Sequence, residues 1–160
     1  MKRNKAKGFT LIELVVVIVI LAILAATVLP RFAELSDEAH RASVQGTAGA
    51  LGSAVALVKA QWKGEGASGA GLVEGFGRGN VEVNADGWAD SVQGGEDGDC
   101  QNLWRALLQS NAPTISTGDD TDYGVSADGE TCVYEYQLDD RGALINYDRS
   151  EGEVSVENNT

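Results

Sequence analysis

The sequence predicts an α+β chain: one long N-terminal helix, apolar in its first half and amphipathic in its second, packed on a C-terminal antiparallel β-sheet. Three observations carry this reading. Phe9 to Leu29 is a run of 21 residues with three polar ones, Thr10, Glu13 and Thr27. Val44, Ala48, Leu51, Val55, Val58 and Trp62 then step by 4, 3, 4, 3 and 4, a single apolar stripe at helical period. Later, Cys132, Tyr134, Tyr136 and Leu138 alternate with Val133, Glu135 and Gln137, the period of a strand.

The apolar run comes first. At about 1.5 Å per residue it spans roughly 30 Å, the thickness of a bilayer's hydrocarbon core. Glu13 stands inside it. A carboxylate in hydrocarbon is costly and functional by default, so something must neutralise it when the helix packs. Lys2, Arg3, Lys5 and Lys7 precede the run. A cleaved signal peptide has an apolar core of about 7–15 residues followed by a small-residue cleavage site. Here the run is longer, and Gly8 precedes it. A plain anchor explains the basic residues as an orientation signal but leaves Glu13 unexplained.

Beyond Pro30 the helical pattern resumes. Asp37, Glu38, His40, Arg41, Gln45, Lys59 and Lys63 form the polar remainder, with His40 expected at the solvated surface. A helix from Phe9 to Trp62 would be roughly 80 Å long. Gly46, Gly49 and Gly52 weaken it by about 1 kcal/mol each where exposed, or else permit close packing. Residues 64–79 contain seven glycines, which end the helix and make a flexible connection. Gly64-Glu-Gly-Ala-Ser-Gly69 matches the dinucleotide fingerprint in letters only, because a helix precedes it where the fingerprint needs a strand.

Val81 to Asn84 reads as a short strand and Asp86 to Trp88 as a turn. A second helix follows, capped by Asp99 or Asp97, with Leu103, Trp104, Leu107 and Leu108 on its apolar face. Pro113 bars its continuation, and Ser116 to Glu130 reads as a polar loop. After the strand that starts at Cys132, Asp139 to Gly142 is a hairpin turn and Ala143 to Tyr147 the next strand. Asp148 to Gly152 turns again, and Val154 to Val156 is a third strand. The apolar face of this meander needs cover, which the stripe from Val44 to Trp62 supplies.

Lys7-Gly-Phe-Thr-Leu-Ile-Glu13 and the apolar helix behind it resemble the type IV pilin family. The resemblance rests on the first 30 residues or so and implies a type IV pilin fold. It implies a basic leader, residues 1–8, removed by a prepilin peptidase between Gly8 and Phe9, then N-methylation of Phe9. Glu13 is the glutamate that guides assembly, and Pro30 falls at a helix-bending position. Many relatives carry Gly at the position of Ala22, where their helix loosens in the filament. Ala favours helix by about 1 kcal/mol over Gly, so loosening here is expected to be smaller or shifted toward Pro30. The implied organisation is a transmembrane and filament-core helix over residues 9–29, an amphipathic half over 30–62, a glycine-rich loop over 63–98 and a head over 99–160. From Asp99-Cys-Gln-Asn-Leu-Trp-Arg-Ala-Leu-Leu108 onward, with Leu35 to Leu57 upstream, the chain looks most like pilins of the mannose-sensitive haemagglutinin (MSHA) group.

Charge bounds the partners. The chain carries 12 Lys+Arg against 24 Asp+Glu, and residues 96–160 hold 15 acids and three arginines. Nucleic acid binding is driven by neutralising phosphates, so no nucleic acid partner is expected. The acidity reads as solubility of an exposed surface. Cys100 and Cys132, an even pair in an exported head, suggest a disulfide closing a loop of about 33 residues, worth roughly 3–4 kcal/mol in the chain-entropy account. Two buried thiols or a metal pair are the alternatives, though His40 is the one histidine available to complete a zinc site. Asp119, Asp120, Asp122, Asp128 and Glu130 form an acidic loop without EF-hand spacing, read as solvated charge. Trp62, Trp88 and Trp104 read as core residues rather than a sugar platform. No nucleophile constellation is present; no enzyme activity, metal or cofactor is expected.

The expectation is therefore the major subunit of a type IV pilus, polymerised through its N-terminal helix for attachment or motility. Its expected partners are further pilin subunits, the prepilin peptidase/methyltransferase and the inner-membrane assembly machinery. It would be a single-pass inner-membrane protein with a periplasmic head before assembly, and part of an extracellular filament after it. The rivals are a type II secretion pseudopilin, which would share the leader and Glu13 but usually relies on a calcium site instead of a disulfide, and a low-copy minor pilin or adhesin.

Overall fold

A 54-residue helix, α1 (Leu11–Gly64), dominates the chain, as the apolar run and the stripe behind it require. The computed structural model describes residues 8–78, 80–95, 99–109, 112–118, 120–138 and 142–158, without the side chains of residues 29, 30, 33 and 34. The chain divides into two compact units, Met1–His40 and Arg41–Thr160.

In the first unit the apolar side chains are exposed, Ile12 and Leu24 among them. Leu11–Val28 has a mean hydropathy of 3.1 and is long and apolar enough to cross a membrane. Ala22 lies in regular helix. His40 departs from its expected solvated position, being only 9% exposed. It stands one helical turn before Val44, at a helical spacing that the polar residues beside it in sequence conceal.

The second unit is α+β. Val44, Ala48, Leu51, Val55 and Val58 are all buried, and Trp62 packs on the same core. Opposite this stripe stand two sheets. The first is antiparallel, with β1 (Gly71–Val73), β2 (Val81–Val83) and β3 (Ala89–Val92) in sequence order. Helix α2 (Cys100–Leu108) follows, its start capped by the Asp99 carboxylate, which accepts from the Asn102 amide at 3.0 Å. The second sheet is β4 (Ile115–Ser116), β5 (Tyr123–Asp128), β6 (Thr131–Tyr136), β7 (Leu144–Asp148) and β8 (Val154–Glu157). Its first pair is parallel and the rest antiparallel. Register places Tyr134 opposite Ile145 and Cys132 opposite Tyr147, so all four face the core.

Three local expectations need correction. The glycine-rich stretch from residue 64 holds β1 and leads into a sheet, because Val73, Val81, Val83, Ala89 and Val92 bury an apolar face while the glycines take the turns. The stretch from Ser116 to Glu130, read as a polar loop, contains β5. That strand buries only Tyr123 and Gly124 and leaves Ser126, Ala127 and Asp128 exposed, so its sequence lacks a sustained alternation. Leu138 lies beyond β6 and is exposed. Helix α2 ends at Leu108, short of Pro113, in agreement with the expectation that it does not pass that proline. The hairpin expected at Asp139 to Gly142 and the alternative cap Asp97 lie outside the described residues, apart from Gly142 itself.

All three tryptophans belong to the core, as their spread along the chain suggested. Trp104 is fully buried, with its ring 4.6 Å from Tyr134 and 5.1 Å from Tyr123. Trp62 packs against Gly87, and Trp88 against Gly152, where a side chain would collide with the indole. Lys59 Nζ sits 3.2 Å from the ring centre of Trp88.

Candidate functional site

The segment in front of α1 is where the sequence concentrates its unusual chemistry. Gly8, Phe9 and Thr10 precede the helix and are exposed, Phe9 to 95%. A Cβ at Gly8 would meet nothing within 4 Å, so the Gly8–Phe9 peptide is open on the glycine side. The basic leader residues Lys2, Arg3, Lys5 and Lys7 lie outside the described residues.

Thr10 and Glu13 form a reciprocal capping box. The Thr10 amide and hydroxyl each donate to Glu13 Oε2 at 2.8 Å, and the Glu13 amide donates to Thr10 Oγ1 at 3.3 Å. Two orphan amides at the helix start are thereby satisfied, that of Thr10 by the Glu13 carboxylate and that of Glu13 by the Thr10 hydroxyl. Thr10 went unremarked as a partner of Glu13 in the sequence reading, although Thr-x-x-Glu ahead of an apolar run is a legible capping signal. Pro30 falls inside α1, and its side chain is outside those described.

The cysteines are joined. Cys100 and Cys132 form a disulfide with S–S 1.99 Å and Cα atoms 5.5 Å apart, linking the first turn of α2 to β6. Its surroundings are tied by hydrogen bonds. The Tyr134 hydroxyl donates to the Cys100 carbonyl at 3.1 Å, and Trp104 Nε1 donates to the Pro113 carbonyl at 3.1 Å. Burial pushes the Tyr134 phenol far up from its ordinary value, with the neighbouring Tyr147 adding to the shift. At the other end of β7, Arg149 donates to the Asp90 carboxylate at 2.7 Å and to the Gly129 carbonyl at 3.1 Å, tying the end of the second sheet to β3 of the first. Among the described residues, no three His, Cys, Asp or Glu side chains gather where they could hold a metal ion.

Comparison with known proteins adds an independent finding. Residues 3–29 match the family described as prokaryotic N-terminal methylation motif. The chain is 55% identical over 60 residues to the type IV narrow pilus major component PilA5 of Thermus thermophilus, covering 38% of this chain and 52% of that one. It is 42% identical over 59 residues to the type II secretion system core protein G of Pseudomonas aeruginosa, covering 37% of this chain and 42% of that one. The chain thus spans about half, or less, of the length of these curated relatives. No solved structure matches. The segment holding Gly8, Phe9, Thr10 and Glu13 therefore lies within the stretch that matches the N-terminal methylation motif, a similarity that runs along the whole apolar run.

Proposed function

We propose that the protein is a structural subunit of a type IV pilus. One observation carries the reading: an exposed Gly8–Phe9 peptide directly ahead of a lipid-length helix whose start is capped by its own embedded carboxylate, Glu13, within a matched methylation motif. In this reading a prepilin peptidase cuts after Gly8, Phe9 is methylated, and Leu11–Val28 lies in the inner membrane until the subunit is handed to the assembly machinery. Polymerisation then exchanges lipid for neighbouring helices. That exchange is nearly neutral in apolar burial, so polar pairing at Glu13 sets the register.

The similarity to a type II secretion core protein supports a pseudopilin as the second reading. The Cys100–Cys132 disulfide favours the pilus, because major pseudopilins usually rely on a calcium site in the C-terminal loop. The affinity to MSHA-group pilins rests on the Cys100-x-x-x-Trp104 helix.

Mass spectrometry of filaments sheared from cells tests the function. The expected result is abundant protein beginning at N-methylated Phe9. A Gly8→Arg chain should stay full-length in the membrane and yield no filaments. Normal processing of that variant would overturn the assignment of the cleavage site, and absence of the wild-type chain from surface filaments would overturn the pilus reading in favour of the secretion one.

A further inference from the structure

Two arginines of this acidic chain line one cleft. Between the first sheet and α2 lies a cavity of about 630 Å³, lined by the side chains of Arg78, Asn80, Asn102, Arg105 and Gln109 over Val92. Such a volume accommodates a small ligand. Among the described residues neither Arg78 nor Arg105 has a carboxylate partner; Arg105 donates only a long bond, 3.4 Å, to the Ile115 carbonyl. The chain has 24 acidic residues from which such partners could have been drawn.

The other polar residues of the lining are amides, beside Gly77, Val92 and Ala106. Asn102 is held by Asp99, to which its Nδ2 donates at 2.6 Å. Gln109 is the one non-glycine residue with positive φ among the described residues, at φ 60° and ψ −159°. Gln109 is the C-cap residue that ends α2, and its conformation there costs energy. Among the described residues no aromatic ring lines the cleft, so recognition there runs through charge and hydrogen bonds rather than stacking.

We propose that this cleft binds an acidic saccharide, through Arg78 and Arg105 on its carboxylate or phosphate and through Asn80, Asn102 and Gln109 on its hydroxyls. Guanidinium forks match both anions in bidentate fashion. A side-chain amide carries donors and an acceptor, the pairing that vicinal hydroxyls require; Asn102, with one N–H on Asp99, keeps its second N–H and its oxygen for this, whereas a peptide carboxylate would use the arginines alone. The charge of the whole chain points the same way. A net −12 repels polyanions, while two local cations suit a ligand with one or two charges.

The test is calorimetric titration of the full chain in neutral detergent. The probes are digalacturonic acid for the carboxylate source, glucose 6-phosphate for the phosphate source, maltose as neutral sugar and inorganic phosphate as bare anion. At least one acidic sugar should bind, with Kd on the order of 1 mM or tighter. Which of the two binds more tightly identifies the source. Maltose and phosphate should bind at least about tenfold more weakly. The Arg78→Gln/Arg105→Gln double variant should lose about tenfold or more in affinity while keeping its melting temperature. Gln109→Gly relieves the strained backbone, so it should fold at least as well yet bind about fivefold more weakly. Three results would overturn the proposal: no binding of either acidic sugar, phosphate alone binding as tightly as the sugars, or unchanged affinity in both variants. A change in self-association of the double variant without sugar binding would overturn it too, and would identify the acidic surface of a second copy as the occupant.

Discussion

Thr10 and Glu13 cap α1 reciprocally, so the carboxylate expected to guide assembly is already engaged within its own chain. Glu13 Oε2 accepts from both the amide and the hydroxyl of Thr10 at 2.8 Å. Assembly through Glu13 must then either add a partner to this cap or exchange the cap for one. The amino group of Phe9 on a neighbouring subunit is the natural candidate, because the proposed cleavage after Gly8 would create it, and a paired carboxylate recovers much of the cost of burial.

Two substitutions separate the cap from the charge. Glu13→Gln keeps an oxygen that can accept from Thr10 but removes the charge; Glu13→Ala removes both. If charge pairing sets the register, both variants should be inserted and cleaved, and both should give few or no filaments when made alone. If the cap is what matters, Glu13→Gln should assemble almost normally and Glu13→Ala should not. Counting sheared filaments from cells producing only one form distinguishes the two, and normal filaments from Glu13→Gln would rule out the charge as the determinant.

The disulfide should stabilise the head. Linking α2 to β6 closes a loop with a sequence separation of 32. Replacing both cysteines with serine should lower stability by roughly 3–4 kcal/mol in the chain-entropy account, seen as a lower urea midpoint. Equal midpoints for the two chains would show that the bond is incidental to the fold.

Much of this fold is readable from the sequence, and the exceptions have common physical causes. The long helix and its stripe were legible because each carries a sustained period: every stripe residue from Val44 to Val58 is buried. The strand from Cys132 to Tyr136 was legible for the same reason, and the strand expected from Ala143 to Tyr147 runs from Leu144 to Asp148. Strands β1 and β3 were not, because three or four residues hold too little pattern to stand out among glycines. Strand β5 was hidden because it is half exposed and owes its place to pairing with β6, a partner remote from any local signal. At the N-terminal site the residues Gly8, Phe9 and Glu13 were picked out directly. The Thr10 contribution emerged only with the geometry, and the Arg78 and Arg105 cleft could not be read at all, since its walls come from separate elements.

Gly152 illustrates a requirement no pattern reveals. It turns the chain between β7 and β8 at φ 73° with its Cα against the indole of Trp88. Gly152→Ala would combine a strained left-handed backbone with a side chain driven into the ring. The expected cost is about 2–4 kcal/mol, with a shift in tryptophan fluorescence as Trp88 is displaced. Gly129→Ala provides the contrast. That glycine has a similar φ of 59° but open space at its Cβ, so only the backbone cost of about 1 kcal/mol applies. Equal losses in the two variants would mean that the ring contact contributes nothing.

Alkaline pH should unfold this head through its buried phenols. The Tyr147 hydroxyl donates to the Ala89 carbonyl at 2.6 Å, and the Tyr134 hydroxyl donates to the Cys100 carbonyl. Burial is the main cause that raises both above the ordinary phenol value; the charge of Asp90 adds to it at Tyr147. In the unfolded chain both ionise near about pH 10. Above that pH the folded state holds protons that the unfolded state has lost, so stability falls as pH rises. The contribution is fully present below about pH 10 and declines by about 1.4 kcal/mol per pH unit for each tyrosine above it. Tyr147→Phe should cost about 1–2 kcal/mol at neutral pH, from the lost hydrogen bond and the carbonyl left unpaired. The same variant should show an alkaline slope shallower by about one proton. Urea midpoints at about pH 8 and about pH 11, on disulfide-intact chain, measure both quantities. A Tyr147→Phe chain that loses stability with the same alkaline slope as the parent would show that this phenol ionises as readily folded as unfolded.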